Sequence, residues 1–376
     1  MAPENRPSLY LPGEIVVHIL SFVRNKATRQ KTLHSCCLVS RQWYSAAIPL
    51  LYERPKVAGR DFDRFVSAIS PSTKAYAPRG DLGRYVRRLD FSNLVHHSSN
   101  SLMARIIGRV KDRLEVFIAP ASSFSVVCLS PLSKCKKMRV LNLSFVLEAL
   151  DFEAIKKAVR NMDNLTTLKL PPRTEIDTTA ENISWPPKLA KLKINGPIDV
   201  DVAEDLDWPK NITSLTVAGS TLQISPPPTI LFNRYLSNHL KELTITFAPQ
   251  IDFQRLCPLP VFMRNLTFLS LPGDQINNDL FFMLHTREYD PISLECLECG
   301  ESPEPARFSI ERFTQALETT LARLRAFGFH QCHCTEKRIT DDAELEEMLQ
   351  ANAVKAGYDK GEIESGELQV GVYYFD

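Results

Sequence analysis

The chain has 376 residues, 44% of them hydrophobic, and its 45 Lys and Arg against 44 Asp and Glu leave a formal net charge of +1. A chain of this length can bury a core without metal or disulfide staples, and its balanced charge excludes a global field that favours nucleic acid, membranes or acidic substrates. Nine cysteines, with no secretory signal and no apolar run long enough to span a membrane, predict reduced thiols and a cytoplasmic or nuclear location.

The first predicted element, "LPGEIVVHILSFV" at residues 11–23, carries apolar side chains on two faces of one short helix. One row consists of Leu11, Ile15, Ile19 and Phe22 or Val23, and the other of Val16, Leu20 and, at its edge, Val17. A surface helix of a globular protein needs a single apolar stripe. A small domain of about 45 residues can bury one of these rows but not both. The row that remains uncovered therefore predicts a binding partner.

The next stretch, "TLHSCCLVSRQWYSAAIPLLYERP", predicts two further short helices. Thr32 can cap one that runs to about Cys37, and Ser40 can cap one that begins at Arg41. Pro55 closes the unit, so we expect three short helices in the N-terminal segment.

The stretches "LPGEIVVHILSFV" and "LVSRQWYSAAIPLLY" resemble the F-box, a helical module that docks onto the Skp-type adaptor of Skp-cullin-F-box ubiquitin ligases. A helical hairpin that caps the next domain would explain the apolar period, but not Leu-Pro followed by Leu-Val-Ser-Arg-x-Trp at this distance. The resemblance implies an F-box at residues 8–55. The adaptor-binding residues that it implies are Leu11, Pro12, Ile15, Ile19, Leu38, Val39, Ser40, Arg41 and Trp43. The positions that it assigns to packing are Tyr44, Leu50 and Tyr52.

Residues 56–85 are predicted to link this module to the rest of the chain. Asp61 can cap a helix over "FDRFVSAIS", and "PSTKAYAPRGDLG" predicts an exposed loop.

From residue 86 onward the pattern apolar-x-x-apolar-x-apolar recurs ten times. The hexads begin at residues 86, 114, 138, 165, 189, 212, 240, 266, 294 and 324. This period is typical of leucine-rich repeats, in which each unit adds one short strand to a parallel sheet. We therefore expect an α/β chain: a three-helix F-box, then a leucine-rich-repeat solenoid of about ten units at residues 86–334, a horseshoe with the parallel sheet on its concave face.

The connectors between hexads predict an irregular convex side. Ser101, Asp151 and Ser309 can each cap an amphipathic helix, whereas "ISWPPKLAKLKI" and "LDWPKNITSLTV" place Trp-Pro ahead of the strand and predict extended backing. The usual Asn or Cys after the strand is missing, since residues such as Arg173 and Pro197 stand there. The chain thus resembles divergent fungal F-box proteins with leucine-rich repeats, and the turn geometry stays open.

Residues 335–376 are predicted to cap the solenoid. Asp341 and Glu344 fit a capping box for a helix that Gly357 ends, and "GELQVGVYYFD" predicts a last strand.

Cysteine and histidine near the end of the repeats provide the only metal-like pattern. The six residues are Cys296, Cys299, His330, Cys332, His333 and Cys334, enough on paper for tetrahedral zinc. Cys296 lies on a predicted strand, so Cys296 and Cys299 should face opposite sides of the sheet. With no P-loop and no dinucleotide fingerprint, we expect no metal, no cofactor and no catalysis by this chain.

The outward positions of the predicted strands are mixed in character, with one basic cluster formed by Lys169, Lys191 and Lys193. This cluster is either a contact surface for an acidic or phosphorylated partner or ordinary solvated lysines. Glu148 and Glu153 in the preceding connector could also neutralise it.

The sequence favours a substrate-recognition subunit of a Skp-cullin-F-box ubiquitin ligase, whose F-box binds the adaptor, and through it a cullin, while the repeats bind a target protein. The alternative is an F-box scaffold that binds the adaptor without a role in ubiquitination. A leucine-rich-repeat activator of a small GTPase would need no F-box, so the N-terminal segment argues against it. Neither nucleic acid nor membrane is an expected partner.

Overall fold

The computed structural model describes residues 11–25, 28–70, 81–94, 99–176, 180, 182–196, 207–218, 236–246, 264–285, 292–302, 304, 306–333, 342–359 and 368–375. The chain divides into two compact units, Met1–Leu141 and Asn142–Asp376. No helix among the described residues is long and apolar enough to cross a membrane.

The first unit opens with the three predicted short helices. They are α1 (Gly13–Ser21), α2 (Arg29–Cys37) and α3 (Arg41–Glu53). Ser40 caps α3 as predicted, because its hydroxyl accepts a hydrogen bond from the Trp43 N–H at 3.3 Å. The cap predicted at Thr32 is wrong: Thr32 lies inside α2, and its hydroxyl donates to the Thr28 carbonyl at 3.1 Å.

The predicted linker contains α4 (Arg60–Ile69) and a 3-10 turn (Leu82–Tyr85). The helix α4 begins after Gly59, so Asp61 lies in its first turn and is not the cap that we expected. Its apolar face is buried through Phe62, Phe65 and Ile69. Most of the predicted exposed loop, residues 71–80, lies outside the described residues.

The first strands of the sheet follow α4. They are β1 (Arg88–Asp90) and β2 (Val116–Ile118), which pair in parallel, and β3 (Val140–Asn142) lies where the two units meet in sequence. Between β1 and β2 runs α5 (Asn100–Val110), which Ser99 caps in place of the predicted Ser101. A 3-10 turn (Val126–Cys128) and the short α6 (Leu129–Leu132) follow β2.

The second unit contains a parallel sheet whose strands are adjacent in chain order. Its strands are β4 (Thr167–Lys169), β5 (Lys191–Ile194), β6 (Ser214–Ala218), β7 (Glu242–Thr246), β8 (Phe268–Pro272), β9 (Cys296–Gly300), β10 (Ala326–His330) and β11 (Gly371–Phe375). Every strand predicted from a hexad is present, and so is the predicted last strand. The central leucines of neighbouring strands stand opposite each other, as at Leu168 and Leu192, and are buried. The expected fold, helices followed by a leucine-rich-repeat solenoid, is therefore confirmed.

The helices of this unit are α7 (Phe152–Val159), α8 (Leu236–His239), α9 (Asn278–His285), α10 (Ile310–Glu318) and α11 (Ala343–Lys355). Asp151 caps α7 as predicted, and Gly357, at φ +94°, follows the end of α11 as predicted. Ser309 precedes α10 but its side chain forms no capping hydrogen bond. Asp342 caps α11 through the Leu345 N–H, and Asp341 lies outside the described residues.

The Trp-Pro connectors form no helix in their described residues, in agreement with the predicted extended backing. Trp185 and Trp208 are both buried. Beside Trp185 lies Lys156, only 1% exposed, whose Nζ donates to the Ala180 carbonyl at 3.0 Å and stands 4.8 Å from the indole ring centre. Lys156 thus links α7 to the connector that follows β4, because it satisfies a buried carbonyl of that connector.

Side-chain amides join successive repeats, although the usual asparagine after the strand is missing. Asn211 donates to the Pro187 carbonyl at 2.7 Å, and Asn265 donates to the Asn238 carbonyl at 2.9 Å. Asn195, just after β5, reaches back to the Leu170 carbonyl at 2.8 Å. These hydrogen bonds satisfy turn carbonyls that the usual asparagines of a regular leucine-rich repeat would otherwise satisfy.

Candidate partner-binding surfaces

The helix α1 separates its two apolar rows cleanly. Val16 and Leu20 are buried in a core with Leu33 of α2 and with residues of α3. Ile15 and Ile19, one position earlier in each turn, are 45% and 41% exposed. Since positions four apart share a helix face, these side chains form a continuous apolar surface that the domain leaves uncovered.

A second exposed apolar pair lies where α2 meets α3. Leu38 is 75% exposed and Val39 is 65% exposed. The side-chain amide of Gln42, at the start of α3, donates to the Leu11 carbonyl at the start of α1. This hydrogen bond holds the α2–α3 joint beside the beginning of α1, so the two sets of predicted adaptor-binding residues lie in one region.

The remaining predicted site residues have local structural roles as well. Leu11 and Trp43 are half-buried against the helical core. Pro12 precedes α1, and its carbonyl accepts the Ile15 N–H at 3.1 Å. Ser40 is the α3 cap, and Arg41 is exposed at the first position of that helix. Effects of mutating Leu11 or Trp43 would therefore mix folding with binding.

Three further large apolar or aromatic side chains of the N-terminal helices are exposed, although the predicted adaptor-binding set omits them. Phe22 continues the row of Ile15 at the seventh position and packs edge-on against His18, with ring centres 5.0 Å apart. Val17 is also exposed. Tyr44 was predicted to pack but is exposed, whereas Leu50 and Tyr52 are half-buried against the core as predicted. The helical period predicted either Phe22 or Val23 for this row, and Phe22 is the exposed one, whereas Val23 is partly buried against the core.

The basic cluster of the repeats lies on the outward side of β4 and β5. Lys169 and Lys193 stand directly opposite each other in the strand register. Lys191 instead pairs with Glu242, two strands away, at 3.0 Å. Burial, and secondarily the charge of Lys169, lowers the pKa of Lys193.

The acidic residues that we expected near the cluster do not pair with it in the described residues. Glu153 binds Lys157 at 2.8 Å within α7, and Glu148 is exposed. Neither Lys169 nor Lys193 has an ion-pair partner in the part of the chain that is described. Among the described residues, the predicted trio is thus a facing pair of lysines without an ion pair beside one neutralised lysine.

The cysteines near the end of the repeats do not converge. Cys296 is half-buried on the outward side of β9 and Cys299 is buried on the inward side, as predicted. Burial raises the pKa of Cys296 to about 11, and burial also holds the pKa of Cys299 well above the ordinary thiol value. His333 is buried, with Nε2 2.9 Å from the Gly300 carbonyl. The described residues contain no group of three potential metal ligands, and Cys334 lies outside them.

Residues 9–57 match the model of the F-box-like family, so the N-terminal helices form an F-box-like domain, which leucine-rich repeats follow. The chain is 29% identical over 313 residues to F-box protein YDR306C of Saccharomyces cerevisiae, covering 78% of this chain and 64%, less than two thirds, of that protein. It is 22% identical over 284 residues to Protein pof5 of Schizosaccharomyces pombe, covering 75% of this chain and 78% of that protein. The resemblance to fungal F-box proteins is confirmed.

A comparison with solved structures finds a TLR13-ssRNA13 complex, with a TM-score of 0.41 and 18% identity over 66% of this chain and 33% of that chain. The fold assignment rests instead on the strands and their register.

Proposed function

We propose that this protein is the substrate-recognition subunit of a Skp-cullin-F-box ubiquitin ligase. The observation that carries the proposal is the uncovered apolar row of α1, Ile15 and Ile19, beside the exposed Leu38 and Val39 within the F-box-like domain. Burying apolar surface contributes about 25 cal/mol per Å², so four such side chains supply a strong driving force for docking a partner. The partner is a Skp-type adaptor, which connects the chain to a cullin.

In this proposal the chain performs no chemistry. The F-box-like domain holds the adaptor, the solenoid holds a target protein, and the ligase transfers ubiquitin to the bound target. The outward face of the repeats displays polar and charged side chains over a buried leucine core, which suits protein recognition. Lys169, Lys191 and Lys193 are the proposed contacts for an acidic or phosphorylated target segment.

The adaptor contact is tested by the double variant Ile15→Ala/Ile19→Ala. Truncating a buried interface anchor typically costs about 2 kcal/mol or more, so the two changes together should weaken adaptor binding by roughly a hundredfold or more. Both side chains are exposed in the free chain, so folding should be unaffected. The measurement is a calorimetric titration of purified Skp-type adaptor into each protein.

The matched control is Val126→Ala/Val127→Ala, which removes a similar exposed apolar surface outside the F-box-like domain. It should bind the adaptor like the wild type. Equal affinity of the wild type and the Ile15→Ala/Ile19→Ala variant would refute adaptor docking through this row.

The scaffold alternative makes a different prediction for cells. If the chain is a substrate receptor, ubiquitinated interactors captured with the wild-type protein should be lost with the Ile15→Ala/Ile19→Ala variant. If it is a scaffold, the captured proteins should carry no ubiquitin that depends on this row.

A further inference from the structure

One row of outward side chains crosses neighbouring strands of the second unit, and along it the side chains change from charged to hydroxyl-bearing. Lys169 and Lys193 begin the row on β4 and β5, and Thr216 and Thr244 continue it in register on β6 and β7. Two ammonium groups followed by two hydroxyls present hydrogen-bond donors throughout. Strands lie about 4.8 Å apart, so the two lysines can contact the same anion.

A second feature of this face is a cleft of about 380 Å³ around Phe268 and Cys296. Its charged walls are already paired: Glu242 binds Lys191 at 3.0 Å, and Arg325 binds Glu295 at 3.2 Å. The Tyr358 hydroxyl also donates to Glu295 at 2.8 Å.

With these charges neutralised, the cleft offers a half-buried phenyl ring and a thiol to an incoming group. Burial holds the pKa of Cys296 at about 11, so its side chain is a neutral thiol at physiological pH. Four of the six lining residues are polar or charged, so the apolar contact in the cleft is the Phe268 ring, against which a large apolar side chain can pack.

The strand order fixes the separation of the two features. Lys193 on β5 and Phe268 on β8 are three strand spacings apart, and Phe268 lies one outward position earlier along its strand. Three spacings of about 4.8 Å and two residues of about 3.3 Å give a separation of roughly 16 Å. An extended peptide advances about 3.3 to 3.6 Å per residue, so four to five residues cover this distance.

We propose that the target is recognised at two points by one extended segment: an anionic residue, phosphoserine above all, binds Lys169 and Lys193, and a large apolar side chain four or five residues away fills the Phe268 cleft. The inference rests on the proposed function, because it specifies what the receptor's repeats bind. Phosphoserine is favoured over Asp or Glu because it carries up to two negative charges and three acceptor oxygens.

The test uses the full chain bound to a Skp-type adaptor and fluorescent peptides with one phosphoserine and one Phe, separated by one to nine residues of alternating Gly and Ser. Fluorescence anisotropy should show the tightest binding with the two side chains four or five positions apart. Replacing phosphoserine by Ser, or Phe by Ala, should each weaken that peptide by about tenfold. An Asp peptide should fall between the two, which distinguishes phosphate recognition from general acidity.

The protein variants separate the two contacts. Lys169→Ser/Lys193→Ser should remove the preference for phosphoserine and keep the preference for Phe, and Phe268→Ala should do the reverse. Phe268→Leu should retain most of the apolar preference, which guards against a folding defect in Phe268→Ala. The matched control, Lys210→Ser/Lys241→Ser, removes two exposed lysines that lie outside the strands and should bind like the wild type.

Two results would overturn the inference: binding that is independent of spacing, or no peptide binding by a complex that still contains the adaptor. In both cases the proposed function stands, because adaptor binding is measured separately. Loss of adaptor binding by the wild-type protein would instead contradict the proposed function.

Discussion

At Lys193, the proposed role in target binding comes at a cost to the stability of the fold. Its ammonium group is half-buried and faces Lys169, and both conditions disfavour the charged form, burial more than the neighbouring charge. The folded-state pKa therefore lies below the ordinary lysine value of the unfolded chain. As pH rises through that lowered pKa, the folded state releases its proton first and the unfolded state binds more protons, so stability rises with pH.

We expect Lys193→Met to be more stable than the wild type at neutral pH, because it keeps a long apolar stem and removes the costly charge. The advantage should shrink as pH approaches the ordinary lysine pKa, where the wild-type side chain is neutral in the folded state. Thermal unfolding at several pH values measures both effects, with exposed Lys210→Met as control. A variant that is less stable at neutral pH would contradict this account of Lys193.

At the scale of elements, the strands were predictable because each leaves alternating buried leucines in the sequence. The helices were less predictable from the sequence. In "SSNS" at residues 98–101, several serines could cap α5, and only the structure shows that Ser99 accepts the Leu102 N–H. The unpredicted α9 does carry a signal, since the Asn277 side chain accepts the N–H groups of Asp279 and Leu280.

The candidate sites were predictable to a similar degree. The helical period identified the exposed row of α1, because buried and exposed apolar residues alternate around the helix. The partner of Lys191 could not be identified, because Glu242 is 51 residues away and two strands distant. An ion pair that skips a strand depends on how far the side chains reach, and it produces no periodic pattern in the sequence.

The last strands of the sheet are joined by a tyrosine that passes over a glycine. Tyr373 on β11 donates to Glu298 on β9 at 2.6 Å, and its hydroxyl lies 3.2 Å from Cys296 Sγ. Gly328 of β10 lies beneath the ring, where an added Cβ would come within 2.7 Å of the Tyr373 ring. The sheet therefore needs glycine at this position.

Gly328→Ala should destabilise the protein by about 1 to 3 kcal/mol, because the methyl group displaces the Tyr373 ring and its hydrogen bond. The cost should be smaller when Gly328→Ala is added to Tyr373→Ala, since the ring is then gone. Denaturant unfolding of the single and double variants gives the coupling energy.

Gly13→Ala is the matched control, because an added Cβ there meets no atom within 4 Å. Equal effects of Gly328→Ala with and without Tyr373 would show that the ring is not the cause.

At the scale of the whole molecule, the described strands stack in chain order over a continuous apolar core. The central leucines of neighbouring strands are buried against one another from β4 to β9, and Phe327 continues this row on β10. Cys296 and Cys299 face opposite sides of β9, so they cannot both bind one ion without breaking the strand. Repeat stacking of this kind makes stability a sum over neighbouring units.

We therefore expect the purified protein to contain no stoichiometric zinc, and its unfolding temperature to be unchanged by a chelator. A structural zinc site would contribute a large part of the local folding energy, so its removal would be readily detected. Elemental analysis and melting curves with and without chelator measure this. One bound zinc per chain together with a chelator-sensitive melting temperature would contradict the expectation.

The strands lengthen along the chain, from three residues in β1 to β4 to five in β6 to β11. A three-residue strand turns two side chains outward, whereas a five-residue strand turns out three, and none of these positions belongs to the leucine core. Apart from Gly328, whose place under the Tyr373 ring excludes a side chain, outward positions of the later repeats can therefore be mutated to alter the proposed target binding while the scaffold persists. In a gene duplicated over evolutionary time, the later repeats would be the segment in which new specificities arise fastest, and a laboratory library for directed evolution should begin there.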